Sequence, residues 1–333
     1  MNYSNTAIFS EQGGGGVPVI PSTPNSFMFA IDTTRTTTGT YVSGPNQWRI
    51  PFSTIYPTGV VDFTIVWGDG TADYITDPLQ DEVLHTYPAP GIYYGYMEGP
   101  DIRGIRGENS RNDRQKWKEI TQWGNLDFNL DRTFSTAQYC IISATDAPII
   151  TTTSMSRAFY EVRGANNKFD LTLWDFSGVV NFERCFYNCS GSVFVGLDVA
   201  LGTNIVSNWN ATFAFNFGAS DGRLNPSQIQ LAGNCRQILY YTVIGYSLAD
   251  WDLRNITDFR EPLGGAGGFL NVADYDATLI SFSNQADTYT LTLDVSDVDF
   301  GNASKYTPGG AVEIARNNLI TTHGWVITDG GPA

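Results

Sequence analysis

From Ser26 to about Gly99, apolar and polar residues alternate with period two. Phe27, Phe29 and Ile31 alternate with Met28, Ala30 and Asp32, and Val61, Phe63, Ile65 and Trp67 with Asp62, Thr64 and Val66. Each segment can bury one face of a sheet. Turn signals separate them: Gly68-Asp69-Gly70-Thr71 follows Trp67 as a tight hairpin, and the stretch from His85 to Tyr93 contains Pro88, Pro90 and Gly91 before a Tyr-rich strand.

Beyond residue 119 the pattern changes. Large apolar residues four apart, Leu130 with Phe134, Met155 with Phe159, Phe182 with Phe186 and Trp209 with Phe213, recur after 25, 27 and 27 residues. The segment from Trp174 to Phe186 also aligns without a gap on that from Trp251 to Leu263, 77 residues later, with Phe182 on Phe259. An apolar pair at i and i+4 fits one helical turn, and strand-like runs follow it at Ile141-Ile142, Phe169 to Leu173 and Val193 to Val195. A rung of this size cannot bury its own face, so the repeat predicts a stacked solenoid with a parallel strand ladder. About six rungs of roughly 25 to 27 residues are expected, the one between Asn216 and Leu248 matching poorly. Phe134, Met155, Phe159, Trp174, Phe182, Phe186, Trp209, Phe213, Trp251 and Phe259 read as its core, and Tyr187, Tyr240 and Tyr241 as surface candidates.

The expected fold is therefore mainly β: a sandwich over residues 26–100, a basic connector over 101–118, a leucine-rich-repeat-like solenoid over 119–288 and a small α/β cap over 289–333. In the cap, Tyr289, Leu291, Leu293 and Val295 alternate as a strand. Thr307-Pro308 can start a helix running to Thr322, Gly324 stops it, and Trp325 to Thr328 returns as a strand. Residues 1–25 join Gly13 to Gly16 to a Pro-stiffened run, an arm that would be ordered by a neighbouring subunit or by lying on its own domain as a linker. The connector holds Arg103, Arg106, Arg111, Arg114, Lys116 and Lys118, and reads as a solvated loop that could dock an acidic neighbour or glycan.

Charge and composition then restrict the function classes. With 34 acidic against 19 basic residues the formal charge is −15, which disfavours nucleic-acid binding. The N-terminus lacks the basic and apolar regions of a signal peptide, and no run of about 18 apolar residues predicts a membrane span. Cys140, Cys185, Cys189 and Cys235 read as buried thiols, and with only His85 and His323 beside them no metal site is expected. No GxSxG elbow, Walker loop or HExxH helix occurs. Gly264 to Gly268 reads as a flexible turn, not a phosphate loop. Neither a cofactor nor a catalytic residue is therefore expected, although a carboxylate pair able to hydrolyse polysaccharide would leave no mark in the sequence.

The pairing of Trp67, Asp69, His85 and Tyr87 in WGDGT and HTY..PGIY resembles the PKD-type immunoglobulin-like β-sandwich, and the resemblance implies a structural spacer without catalysis. The repeat, with Trp174-Asp175 and Trp251-Asp252 ahead of Phe186 and Leu263, resembles the BspA-type leucine-rich-repeat family of bacterial, mycoplasmal and phage-encoded surface proteins, Phe182 replacing the usual Met. This resemblance covers about residues 120–265 and implies a non-enzymatic binding or structural protein. The expected setting is a phage virion (fibre, collar or capsid decoration, possible host-surface recognition), assembled in the host cytoplasm as an oligomer with other virion proteins through residues 1–25 and with a host glycan or protein as partner. The rivals are a bacterial cell-surface adhesin and, third, a carbohydrate-active enzyme.

Overall fold

The computed structural model describes residues 23–35, 43–53, 61–107, 112–164, 167–190, 192–216, 230–242, 244–265 and 270–333. The 1–22 part of the expected arm, Arg111 and Ala266 to Gly268 lie outside them. The described chain is mainly β, about 15% helical, and contains a β-solenoid of about five turns.

The N-terminal region is built on a six-stranded sheet. Phe27–Asp32 pairs antiparallel with both Ile92–Asp101 and Trp117–Gln122, while Asp62–Val66 joins Ile92–Asp101 to the edge strand Ala72–Ile75. Gln47–Arg49 and Leu84–Thr86 form a separate antiparallel pair. Trp48 from that pair packs among Phe29, Trp67 and Trp117 at ring distances of 5.0 to 5.7 Å, so the alternating residues do converge on one core. The sheet does not end where the repeat begins. Trp117–Gln122 also pairs parallel with Ile141–Ile142, the first strand after a repeat turn.

Short strands or bridges precede the turn segments, and among the described residues Ile141–Ile142, Lys168–Asp170 and Val193–Val195 follow the first three of them. The preceding strands pair in parallel where the ladder is regular: Asp127–Phe128 with Ile149–Ile150, and Val206–Asn208 with Leu231–Asn234 and then Ile256–Asp258. Bridges from Ser154 to Asn181 and from Asn181 to Asn208 connect these two stretches. On the other side Lys168–Asp170 pairs with Val193–Val195. Leu231–Asn234 and Cys235 to Thr242 supply the rung that matched poorly, with Cys235 and Leu239 at the apolar positions. No large ring stands at those positions, and the strand Leu231–Asn234 shifts register against both of its neighbours, which together hide the repeat.

The i, i+4 pairs do not form helical turns. In every rung the residues two before and two after the inner apolar position have left-handed backbone: Arg132 and Thr136, Arg157 and Glu161, Arg184 and Asn188, Ala211 and Phe215, Gln237 and Tyr241, Glu261 and Gly265. Alternate amides then point along the solenoid axis. Arg157, Phe159 and Glu161, for example, donate to the carbonyls of Glu183, Cys185 and Tyr187 one rung on, while Ala158, Tyr160 and Val162 close local turns onto Met155, Arg157 and Phe159. A helix would have kept those amides within its own segment, and the rungs would lose this ladder.

The turn is started by a side chain. Asn181, Asn208, Asn234 and Asp258 each accept the amide two residues on, from Glu183, Asn210, Arg236 and Arg260. Such Asx turns bend the chain out of the strand immediately before the apolar pair.

The described parts of the connector, residues 101–107 and 112–118, are not a solvated loop. Arg106, Asp113 and Lys116 are buried. The Lys116 ammonium donates to Ser43 Oγ and to the carbonyls of Gly44 and Gln47 at 2.6 to 2.7 Å. Arg106 meets Asp131 at 2.8 Å. Burial of these charges is tolerated because they are paired and hydrogen-bonded.

At the far end, Val272–Thr288 is a helix that the period reading did not separate from the solenoid. Its Asn271 cap accepts the Asp274 amide, and Tyr275, Leu279, Phe282 and Ala286 form its buried stripe. The second helix is Gly310–Thr321. Tyr289 to Val295 is not a strand beyond a bridge at Asp294; the paired strands are Val298–Asp299 and Ile327–Thr328. Alternation there reflects a crossing over the end of the solenoid, with Leu293 turned inward.

Candidate functional site

Inside the solenoid one aromatic column runs from rung to rung. Phe134, Phe159, Phe186 and Phe213 stack at centroid separations of 6.1, 5.6 and 5.6 Å with ring planes within 11°. Phe182 stacks on Trp209 at 5.4 Å. These rings, with Met155, Trp174, Trp251 and Phe259, are buried. They are occupied in holding the rungs together.

A second column lies on the outer edge of the same turns. Tyr160 stacks on Tyr187 at 4.7 Å and 9°, Tyr187 meets Phe215 at 5.1 Å, Phe215 stacks on Tyr241 at 4.9 Å and 5°, and Tyr240 packs beside both. All five rings are half-buried. Tyr160, Tyr187 and Tyr240 hold the position after the inner apolar residue; in the intervening rung that position is Ala214, and Phe215 reaches in from the next one. The stripe is thereby continuous. At its far end Gly265, at φ +87°, carries the next turn under Tyr241, where a Cβ would run into the Tyr241 ring. The glycines at 264 and 265 make room for rings.

Burial pushes the phenols of Tyr160, Tyr187 and Tyr240 above the usual tyrosine range, aided by Glu161 beside Tyr160, by Tyr160 beside Tyr187 and by Glu261 beside Tyr240. They therefore stay neutral hydrogen-bonding groups. Since the ring faces are largely spent on one another, the stripe offers edges and hydroxyls. Around it run Arg157 with Glu183, Arg163 with Glu161 and Arg236 with Glu261, at 3.5, 3.0 and 2.7 Å. Tyr187, Tyr240 and Tyr241 are thus brought together; Tyr160 and Phe215 were missed, although their places relative to Phe159 and Phe213 were visible in the repeat.

The sandwich motif forms a compact cluster. Asp69 accepts the Thr71 amide at 3.0 Å and hydroxyl at 2.6 Å, and lies 2.7 Å from His85 Nε2. The Trp67 ring stacks on His85 at 4.6 Å, and Tyr87 stands edge-on to it at 4.5 Å. Burial pushes the Asp69 carboxyl up, but the hydrogen bonds from Thr71 and His85 outweigh it and leave its pKa below the ordinary value. Every polar atom of this carboxylate faces a partner that fixes the hairpin.

Burial raises the pKa of all four cysteine thiols, the opposite of what a nucleophile requires. Among the described residues no group of three His, Cys, Asp or Glu side chains is placed to hold a metal, and no helix is long and apolar enough to cross a membrane. A shallow hollow beside Val272–Thr288 is lined by Ser281 and Gln285, but both already bond the carbonyls of Ala249 and Trp251.

Fold and surface together define a β-solenoid with an ordered aromatic stripe on its turn face. Comparison with protein-family models, with curated proteins and with solved structures found no match for the chain.

Proposed function

We propose that this chain is a non-catalytic structural and binding protein that uses the turn face of its solenoid for recognition, in the setting of a phage virion and with the N-terminal sheet as a sandwich-like spacer. The observation that carries the reading is the half-buried stripe from Tyr160 to Tyr241. Tyr and Arg, abundant here, are the side chains that contribute most per contact in interfaces, because they are large, stiff and amphipathic. Tyr on a stacked ladder loses little further conformational entropy on binding. The buried thiols and the Asp69 carboxylate, both oxygens of which are engaged by Thr71 and His85, support a role without catalysis.

The test is binding of the labelled full chain to bacterial cells and to their purified envelope glycans, with antiserum labelling of purified phage particles as the check on setting. The double variant Tyr187→Ala and Tyr240→Ala should lose cell or glycan binding by about tenfold or more, a loss of about 1.4 kcal/mol or more, while its thermal unfolding remains cooperative. Unchanged binding by that variant would remove the stripe from consideration, and labelling of cells but not particles would favour the adhesin setting. Release of reducing ends from the same glycans would sink the non-catalytic reading.

A further inference from the structure

We propose that the first rungs of this turn face bind an anionic polysaccharide lying along the solenoid axis, held by Arg184 with Arg157 and Arg163 and by the hydroxyl edges of Tyr160 and Tyr187. The inference rests on the recognition reading above and adds the chemical class of the ligand.

Charge distribution is the first argument. On a chain of formal charge −15, the position two before the inner apolar residue is arginine in three successive rungs, Arg132, Arg157 and Arg184, and then becomes Ala211, Gln237 and Glu261. The stripe therefore has a basic end, and it coincides with Tyr160 and Tyr187. Arg157 and Arg163 are ion-paired there, but Arg184 has no carboxylate partner among the described residues, and its Nε is buried without a hydrogen-bond acceptor. Its charge acts on the phenols of both Tyr160 and Tyr187. The buried Nε is closed to solvent, so an anion supplied from outside would meet the two terminal nitrogens of that guanidinium, which favour paired oxygen acceptors such as a carboxylate.

Ring geometry is the second. A ligand that stacks, as nucleic-acid bases do, needs free ring faces. Here Tyr160 and Tyr187 lie face to face at 4.7 Å. What remains on these two rungs is a pair of hydroxyls one rung apart, since Ala214 and Phe215 carry none on the next, and their raised pKa keeps them able to donate. Hydroxyls on two successive rungs beside arginines suit a polyhydroxylated, anionic chain. A regularly repeating polymer can meet successive rungs with successive units, whereas a compact ligand would engage one.

Alginate, a polymer of uronic acids, is the probe, with neutral dextran and oligo-thymidylate of matched length as comparisons, each titrated against the full chain by calorimetry at two salt concentrations. Alginate should bind with salt-sensitive affinity and at least tenfold more tightly than either comparison. Arg184→Gln should weaken alginate binding about tenfold, and Tyr187→Phe, which keeps the ring stack, should weaken it severalfold without moving the unfolding temperature. Equal binding of dextran, tighter binding of oligo-thymidylate, no binding of alginate, or an unaffected Arg184→Gln variant would each overturn the inference. If a neutral glycan binds and that binding is lost in the Tyr187→Ala and Tyr240→Ala double variant, the recognition reading stands while the anionic ligand falls.

Discussion

Thr136 shows what the turn geometry demands of a single residue. It is β-branched at φ +59°, and its buried hydroxyl has no partner among the described residues. Left-handed backbone costs a non-glycine residue roughly 1–2 kcal/mol, and a β-branched one is the least tolerant. Thr136→Gly should therefore stabilise the chain by about 1 kcal/mol after the added unfolded-state entropy of glycine, read as a raised urea midpoint. Gly265→Ala should do the reverse, combining the strain at φ +87° with a clash against Tyr241; the added change Tyr241→Ala should recover only part of the loss, because the backbone strain remains. Asp69 supplies a pH signature. Its folded pKa lies below its ordinary value, so its contribution is complete above about pH 4 and is lost as pH falls through the lower folded value. The acid limb of stability below about pH 4 should flatten in Asp69→Asn, measured by denaturant midpoints between pH 2 and 6.

At the scale of the element, the rung is the unit, and its three contributions differ in size. The inner ring is the largest: Phe186 contacts Phe159, Phe169, Phe194 and Phe213, so Phe186→Ala should cost about 3–5 kcal/mol. The Asx side chain is smaller. Asn208→Ala removes the acceptor for the Asn210 amide and should cost about 1 kcal/mol. The outer ring is smaller again for its hydroxyl alone, and Tyr187→Phe should stay within about 0.5 kcal/mol of the parent. Chemical denaturation of the three variants orders them, and an equal cost for Phe186→Ala and Tyr187→Phe would contradict the division between holding column and presenting column.

For the whole molecule, the ends decide whether the stack survives. The last turn segment donates from Phe259, Glu261 and Leu263 to the carbonyls of Asp294, Asp297 and Asp299, and Phe259 packs against Phe282 and Trp325 at 5.7 and 6.4 Å. A chain ending at Gly265 would leave those amides and that ring uncovered. It should aggregate or elute as a broad assembly in size-exclusion chromatography, where the full chain should elute as one sharp peak, because a solenoid with an unsealed end offers a template to its neighbour. The N-terminal end has no such seam, since Trp117–Gln122 belongs to the sheet and to the first ladder step at once.

The repeat itself was legible because its signal is chemical: a large apolar residue must recur wherever one rung buries the next, and Phe134, Phe159, Phe186 and Phe213 record that need directly. The cap helix near its observed place was legible for a different reason, since Thr307-Pro308 marks its start and Gly324 its stop. Three things were decided only in three dimensions. An i, i+4 spacing suits both a helical turn and a turn with left-handed residues at its flanks, and the inter-rung ladder chose the second by satisfying alternate amides along the axis. The continuity of the stripe depended on Ala214 admitting Phe215 from the neighbouring position. The burial of Lys116 and Arg106 depended on whether Ser43, Gly44, Gln47 and Asp131 lay close enough to pair their charges. Local composition carries the identity of what is buried, whereas which partner meets it is a property of how the rungs and the sheet are stacked.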